Sequence, residues 1–212
     1  MYCYIIAGKT RQGKSRYTKS MISTGKGACR PCMVYDIQNE YGKEYKTLIN
    51  GKVQIVKGVG LERYSPKEKR CRFTPQDGTK EDFENVALHC KGRNIIFEEA
   101  TTFLKGGMSE NIRKIVVSKF HDMNNLMFIF HRLNTVPKDI IDLADYLILF
   151  KTSDVEKDII KRYDMPIITF ALKLQQAKKD GSPPTIVNLK METINGKPIE
   201  FYEKLQKTNK LF

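Results

Sequence analysis

Short apolar runs alternate with segments of helical spacing along most of the chain. The clearest apolar runs lie at residues 2–7, 31–36, 94–97, 126–130 and 146–150. Because their apolar character is continuous rather than alternating, they are typical of strands buried on both faces of a parallel sheet. Helical spacing between them predicts helices at 15–23, 80–89, 111–120 and 137–143. The pattern predicts an α/β fold with a doubly wound, mostly parallel sheet, whose ligand site lies beyond the carboxyl ends of the strands.

The last quarter of the chain has a different pattern. Helical spacing returns at 155–163 and 168–178, and Asn195 and Gly196 then give the turn signal of a β-hairpin. The expected arms of this hairpin are residues 189–193 and 198–202. We therefore expect a small antiparallel ribbon at the end of the sheet.

The middle of the chain carries weaker signals. An apolar run at 53–56 predicts one further strand, whereas 57–80 is basic and polar and contains prolines that interrupt regular structure. We interpret this segment as a surface loop with a short edge strand at 71–74. The alternative is a loop that faces DNA, in which Tyr64 and Phe73 stack on bases or sugars.

Length and charge narrow the possible functions. At 212 residues the chain suits one domain, with a core at 1–152 and the helices and hairpin of 153–212 packed on it. Lys and Arg number 37 against 24 Asp and Glu, a formal charge of +13, which favours a polyanionic partner, although a cationic surface also serves solubility. No run approaches the roughly 20 apolar residues that span a bilayer, so we expect an intracellular protein without stable membrane insertion.

The five cysteines form no disulfide framework, which indicates reduced thiols. Cys29 and Cys32 do make a CxxC pair. A zinc site would need a second pair of ligands, and only His89, Cys90 and Cys71 could supply it. We interpret the cysteines as buried or idle thiols.

The first apolar run leads directly into the sequence GKTRQGKS, from Gly8 to Ser15, which matches the phosphate-binding pattern GxxxxGK[ST]. A strand, a glycine-bearing loop and a helix follow one another in the order that the motif needs, so that backbone N–H groups and the positive helix end meet the phosphates. Lys14 would reach the β and γ phosphates, and the Ser15 hydroxyl would be a ligand of Mg²⁺. The sequence therefore predicts ATP and Mg²⁺ as cofactors. The candidate nucleotide-binding residues here are Gly8, Lys9, Thr10, Arg11, Gln12, Gly13, Lys14, Ser15 and Arg16.

Two carboxylates follow the apolar run at 94–97, in the sequence NIIFEEA. The end of that strand would bring them to the phosphates. We expect Glu98 to hold Mg²⁺ through its water shell and Glu99 to polarise the water that attacks the γ phosphate. Asp is usual at position 98, so the two roles could also be exchanged.

Three further segments carry a resemblance to a known family. MVYDIQNEYG at 33–42 resembles the second-strand motif of the FtsK/HerA superfamily of DNA-translocating ATPases, in which the strand ends in an Asp, here Asp36, and a Glu-Tyr pair follows, here Glu40 and Tyr41. The resemblance makes Asp36 a further candidate nucleotide-binding residue. FIFHRLNTVP at 128–137 resembles its sensor strand, with His131 where Gln is usual, and DYLILFKT at 145–152 resembles its next strand. An imidazole can also bond a γ phosphate or the attacking water, but it titrates near neutral pH.

The resemblance implies a RecA-like core and a ring, usually a hexamer, in which an arginine of the neighbouring subunit completes each ATP site. Arg113 is our first candidate for that arginine and Arg132 the second. In its compact size and in the absence of a membrane segment, the chain is similar to viral genome-packaging ATPases. Such a protein would move double-stranded DNA in the host cytoplasm or at a packaging vertex of the virion, with capsid or portal-vertex proteins as further partners.

Two other functions stay open on the sequence. Lys9 lies five residues before Lys14, as does the signature lysine of ParA/MinD-type partition ATPases. Thr10 and Arg11 replace the glycines usual there, which counts against that class. The third possibility is a nucleotide-gated assembly module that holds ATP and rarely cleaves it.

Overall fold

A computed structural model describes residues 1–24, 30–38, 40–41, 46–47, 70–73, 80–104 and 107–207. The strands in these ranges are β1 (Cys3–Ala7), β2 (Cys32–Tyr35), β3 (Lys46–Thr47), β4 (Arg70–Phe73), β5 (Asn94–Phe97), β6 (Asn125–Phe130), β7 (Tyr146–Leu149), β8 (Thr185–Asn188), β9 (Thr193–Ile194) and β10 (Lys197–Pro198). The helices are α1 (Lys14–Thr24), α2 (Lys80–Leu88), α3 (Ala100–Phe103), α4 (Glu110–Ser118), α5 (Lys138–Leu143), α6 (Glu156–Tyr163), α7 (Pro166–Ala177) and α8 (Ile199–Lys207). The expected strand at 53–56 and most of the basic segment 57–80 lie outside the described residues.

Contacts along the chain define two compact units. The first unit consists of Met1–Cys3 and Ser15–Ile129, and the second of Tyr4–Lys14 and Phe130–Phe212. The chain passes from one unit to the other within β1, at the start of α1 and near the end of β6.

The first unit contains parallel strands in the order β6-β5-β2-β4-β3. Every residue of β2 and of β5 is buried, as the continuous apolar runs predicted. Phe97 stacks on Phe128 of β6 with ring centroids 4.4 Å apart, and Phe83 of α2 meets the edge of Phe97 at 5.4 Å. Burial of these rings against a helix stabilises β5 and so fixes where the chain leaves that strand.

The second unit pairs β7 in parallel with β1, with Ile6 opposite Ile148. On its other side β7 pairs antiparallel with β8, and β9 and β10 continue the antiparallel order. The α/β class, the mostly parallel strands and the C-terminal antiparallel hairpin are therefore confirmed.

The hairpin is shorter than the sequence suggested. Asn195 and Gly196 do form its turn, with φ of 49° and 79°, but residues 189–192 form a preceding turn instead of a strand. The Asn188 side chain accepts hydrogen bonds from the backbone N–H groups of Lys190 and Met191, an arrangement that favours a turn over a strand. The expected second arm, 198–202, was wrong beyond its first residue.

Helix α8 takes the place of the rest of that arm, and the Tyr202 side chain is buried from the helix. Its ring is 7% exposed and its hydroxyl donates to the carbonyl of Ile194 at 2.8 Å. The edge position expected for the strand near residue 71 was also wrong, since β4 lies between β2 and β3.

Three of the described cysteines fit the expectation of buried thiols. Cys3, Cys32 and Cys90 are buried, and the Cys90 thiol contacts the Met33 sulfur at 3.7 Å. No metal-binding group of three or more His, Cys, Asp or Glu occurs among the described residues, from which Cys29 is missing.

In the ranges that the structure covers, no helix is long and apolar enough to cross a membrane.

Asp154 connects the end of β7 to the turn after β6 within the second unit. Its buried carboxylate accepts from the backbone N–H of Leu133 at 2.8 Å and of Asn134 at 3.3 Å, and from the hydroxyl of Thr152. Hydrogen bonds to a charged acceptor are among the stronger ones, so this carboxylate fixes the backbone just beyond His131.

We expect Asp154→Ala to lower the free energy of unfolding by about 3 kcal/mol, because it leaves buried N–H groups without an acceptor. Urea denaturation measures the change. The exposed Asp142→Ala on α5 removes the same charge and is the control, expected to stay within about 0.5 kcal/mol of the parent. Equal losses in the two variants would contradict this role of Asp154.

Candidate nucleotide-binding site

The phosphate loop joins β1 to α1 and has a backbone that needs glycine at its first position. A Cβ on Gly8 would lie 2.5 Å from the Cβ of Phe150 and 3.1 Å from its carbonyl carbon, too close for any side chain. The Gly8 N–H donates to the carbonyl of Phe130 at 3.2 Å, which fixes the start of the loop. Gly13 has a φ of 87°, a conformation that costs glycine little.

Lys14 occupies the centre of this loop. The side chain is only 7% exposed, and its ammonium donates to the carbonyl oxygens of Gly8 at 2.8 Å and Lys9 at 2.9 Å. The loop therefore curls around a positive charge, the arrangement in which backbone N–H groups and a lysine can bind phosphate together. The side chains of Lys9, Thr10, Arg11 and Arg16 are exposed.

The acid cluster of the first unit lies around Glu98 and consists of Asp36, Glu40, Glu98 and Glu99. The Ser15 hydroxyl, next along the chain from Lys14, donates to Oε1 of Glu98 at 2.8 Å. The Tyr41 hydroxyl donates to the other carboxylate oxygen at 3.4 Å. The structure thus joins the last residue of the phosphate motif to the first acid after β5.

Glu98 is a buried acid among other acids. It is 3% exposed, and burial raises its pKa to about 8. The Ser15 hydrogen bond opposes this rise, while the charges of Glu40, Glu99 and Asp36 add to it. A carboxylate in such surroundings is stabilised by any cation placed beside it.

The residues at this point fit Mg²⁺. A serine hydroxyl and a carboxylate are hard oxygen ligands, and their oxygens already lie within hydrogen-bond distance of each other. Mg²⁺ is commonly held by one or two protein groups together with water and substrate phosphates, so a larger protein ligand set is not needed. Ser15 and Glu98 are the residues that would hold it.

Glu99 differs from Glu98 in burial, backbone conformation and hydrogen-bond partner. It is half-buried, has a left-handed backbone with φ of 54°, and accepts a hydrogen bond from the Gln38 amide at 2.6 Å. The turn of the chain separates the two acids, so that they have different partners. Gln38 and Tyr41 both lie in the segment 33–42 that carries the family resemblance, but the sequence pointed only to Tyr41, as part of the Glu-Tyr pair, and predicted no contact for either.

Asp36 binds the backbone of its own turn. Its two carboxylate oxygens accept from the N–H groups of Glu40 at 2.8 Å and Tyr41 at 3.1 Å. This turn places the Tyr41 ring, which is fully buried, where its hydroxyl reaches Glu98. A direct contact of Asp36 with nucleotide stays a prediction.

His131 lies beside the phosphate loop in the second unit, with Nδ1 3.4 Å from the Thr10 hydroxyl oxygen. Arg132 is exposed and begins the short 3₁₀ turn Leu133–Thr135. Arg113 is exposed on α4. The roles of these three residues stay predictions.

The strand arrangement and the phosphate loop define a RecA-like P-loop NTPase fold. No protein-family model and no curated protein matches the chain. The chain is similar to the genome packaging NTPase B204 from Sulfolobus turreted icosahedral virus 2: the complex with AMPPCP gives 18% identity and a TM-score of 0.73, over 93% of this chain and 97% of that one.

Two related structures agree with this result. The AMP complex of the same NTPase gives 16% identity and a TM-score of 0.72, covering 92% of this chain and 96% of that one. B204, the DNA-packaging ATPase from Sulfolobus turreted icosahedral virus, gives 20% identity and a TM-score of 0.70, covering 93% and 97%. The expected likeness to viral genome-packaging ATPases is therefore confirmed at the level of the fold.

The raised pKa of Glu98 predicts a pH dependence of stability. Because the folded-state pKa is about 8 and the ordinary value is 4.5, the folded protein binds the proton more tightly than the unfolded chain. The contribution of Glu98 to the free energy of unfolding is therefore fully present below pH 4.5. As the pH rises from 4.5 to 8 this contribution is lost, by up to about 1.4 kcal/mol per pH unit. In the absence of nucleotide and metal, Glu98→Gln should remove this slope.

Urea denaturation of parent and variant at several pH values measures the effect. Glu81→Gln, at an exposed site on α2, is the matched control and should leave the slope as it is. If the Glu98→Gln curve runs parallel to that of the parent throughout, burial does not raise this pKa.

Proposed function

We propose that this protein is a magnesium-dependent ATPase that moves double-stranded DNA during viral genome packaging. The observation that carries the proposal is the 2.8 Å hydrogen bond between Glu98 and Ser15, the residue that follows Lys14 along the chain. A phosphate-binding lysine, a metal-binding hydroxyl and a buried acid are the parts that NTP hydrolysis on a P-loop requires.

In the proposed mechanism the phosphate loop binds the triphosphate through its backbone N–H groups and the Lys14 ammonium. Bound Mg²⁺ would neutralise charge on the phosphate oxygens. Glu99 orients and polarises the attacking water, and the Gln38 amide holds the Glu99 carboxylate in place. We assign the sensing of the γ phosphate to His131, whose Nδ1 lies 3.4 Å from the hydroxyl oxygen of Thr10 in the phosphate loop.

The DNA partner is supported by the charge of +13 and by the likeness to a protein described as a DNA-packaging ATPase. From the FtsK/HerA resemblance of the sequence we propose a ring of identical subunits, a hexamer, in which Arg113 or Arg132 of one subunit completes the site of the next. The ring would work in the host cytoplasm or at the packaging vertex, against capsid or portal-vertex proteins.

The test is ATP turnover measured with and without duplex DNA, with the mass of the assembly determined in the same samples. We expect DNA to raise turnover severalfold and Lys14→Ala to abolish it, since that variant loses the charge at the centre of the loop. Equal turnover with and without DNA would overturn the translocase. It would support an assembly module that holds ATP if turnover is also very slow.

The two acids predict different phenotypes. Glu99→Gln should retain ATP binding and lower turnover by about 100-fold or more, because an amide cannot accept a proton from water. Glu98→Gln should instead weaken the Mg²⁺ dependence of binding, because a carboxylate beside the Ser15 hydroxyl is lost. Titration of a fluorescent ATP analogue at varied Mg²⁺, followed by single-turnover hydrolysis, separates the two effects. If Glu98→Gln stops turnover and Glu99→Gln does not, the roles of the two acids are exchanged.

A further inference from the structure

A pair of opposite charges lies beside the phosphate loop in the second unit, outside the residues assigned above. The backbone N–H of Lys9 donates to the carbonyl of Lys151 at 2.8 Å, so the chain just after β7 is fixed to the loop. The Lys151 ammonium lies 2.9 Å from Oδ1 of Asp180 and donates to the carbonyl of Lys178 at 3.1 Å. We call Lys151 and Asp180 the flanking ion pair.

The two members of the flanking ion pair differ in exposure. The Lys151 side chain is 27% exposed and that of Asp180 is 77% exposed. The hydrogen bond and charge of Lys151 lower the pKa of Asp180, and the charge of Lys9 contributes to the same direction. The Asp180 carboxylate therefore lies in the field of two lysines, one of which belongs to the phosphate loop.

The loop that carries Asp180 is held by other bonds. The Lys178 ammonium donates to the side-chain oxygens of Gln175 and Thr185, at 2.9 Å each, and to the carbonyl of Pro183 at 3.0 Å. These bonds join the two ends of the loop at its base. The flanking ion pair is thus not required to close the loop, and an exposed pair of this kind contributes little to stability.

We propose that Lys151 is a second phosphate-binding cation of the nucleotide site and that Asp180 competes with the phosphates for it. Without nucleotide, the Asp180 carboxylate pairs with the Lys151 ammonium. A triphosphate in the loop has several negative charges and draws Lys151 away from one exposed carboxylate, while it repels that carboxylate. Asp180 thereby sets the affinity of the site for phosphate.

This inference rests on the nucleotide-binding part of the proposed function and not on DNA translocation. It predicts the direction in which each substitution changes phosphate affinity, and a purely structural role predicts different directions. If Lys151 and Asp180 only held the loop, removing either would change phosphate binding in the same direction. If they compete as proposed, the two removals have opposite effects.

The experiment measures binding of inorganic tripolyphosphate and of ATPγS, with Mg²⁺, by calorimetry to the full-length protein. Lys151→Met should weaken binding of both ligands about tenfold. Asp180→Asn should tighten both about threefold at low salt, and less at high salt because the carboxylate is exposed. Tripolyphosphate has no ribose or base, so a change shared by both ligands belongs to the phosphates.

Lys179→Met is the matched control, since it removes a neighbouring exposed lysine of the same loop, and it should change either affinity by less than about twofold. Circular dichroism tests whether each variant is folded. If Lys151→Met does not fold, Lys151→Gln is used in its place. Weaker binding by both Lys151→Met and Asp180→Asn, or an equal effect of Lys179→Met, would overturn the inference. Parent protein that binds neither ligand would overturn the proposed ATPase as well.

Discussion

The constraint on which the site depends is the burial of Glu98 among like charges. A carboxylate that is 3% exposed, near Asp36, Glu40 and Glu99, is unfavourable when it is ionised and lacks a cation. Two hydroxyl groups, of Ser15 and Tyr41, are its partners in the structure, and neither carries charge. A cation beside Glu98 would offset this unfavourable charge, which is the physical reason why the metal role of Glu98 is proposed.

The rest of the first unit holds this acid in position. Strand β5 is buried at every residue and packs through Phe97 against aromatic side chains on either side, so its end cannot shift independently. Asp36 closes the turn that presents Tyr41. Asp36 and Glu98 thus directly follow buried strands, which is where parallel α/β folds generally position ligand-binding groups.

Much of this arrangement follows from the sequence, because the decisive signals are local. Strand β5 begins and ends where the apolar run predicts, and the phosphate motif fixes strand, loop and helix by spacing alone. The C-terminal arm was harder, since the short run from Ile199 to Tyr202 is compatible with a strand or a helix. In the helix, Tyr202 is buried and donates to the carbonyl of Ile194, a tertiary contact that the local sequence does not indicate. Lys151 lies in the segment 145–152 that carries the family resemblance, but it was not singled out, because its pairing with Asp180 arises only through tertiary structure.

The positions that local rules do not anticipate also have a common property. Arg11 in the phosphate loop and Glu99 after β5 both have a left-handed backbone, with φ of 64° and 54°, although neither is glycine. Such a conformation costs of order 1 kcal/mol and persists only when the surroundings require it. At Glu99 this conformation directs the carboxylate away from that of Glu98, so that it accepts a hydrogen bond from the Gln38 amide. The left-handed backbone at Glu99 is thus the local feature that gives two adjacent glutamates different hydrogen-bond partners.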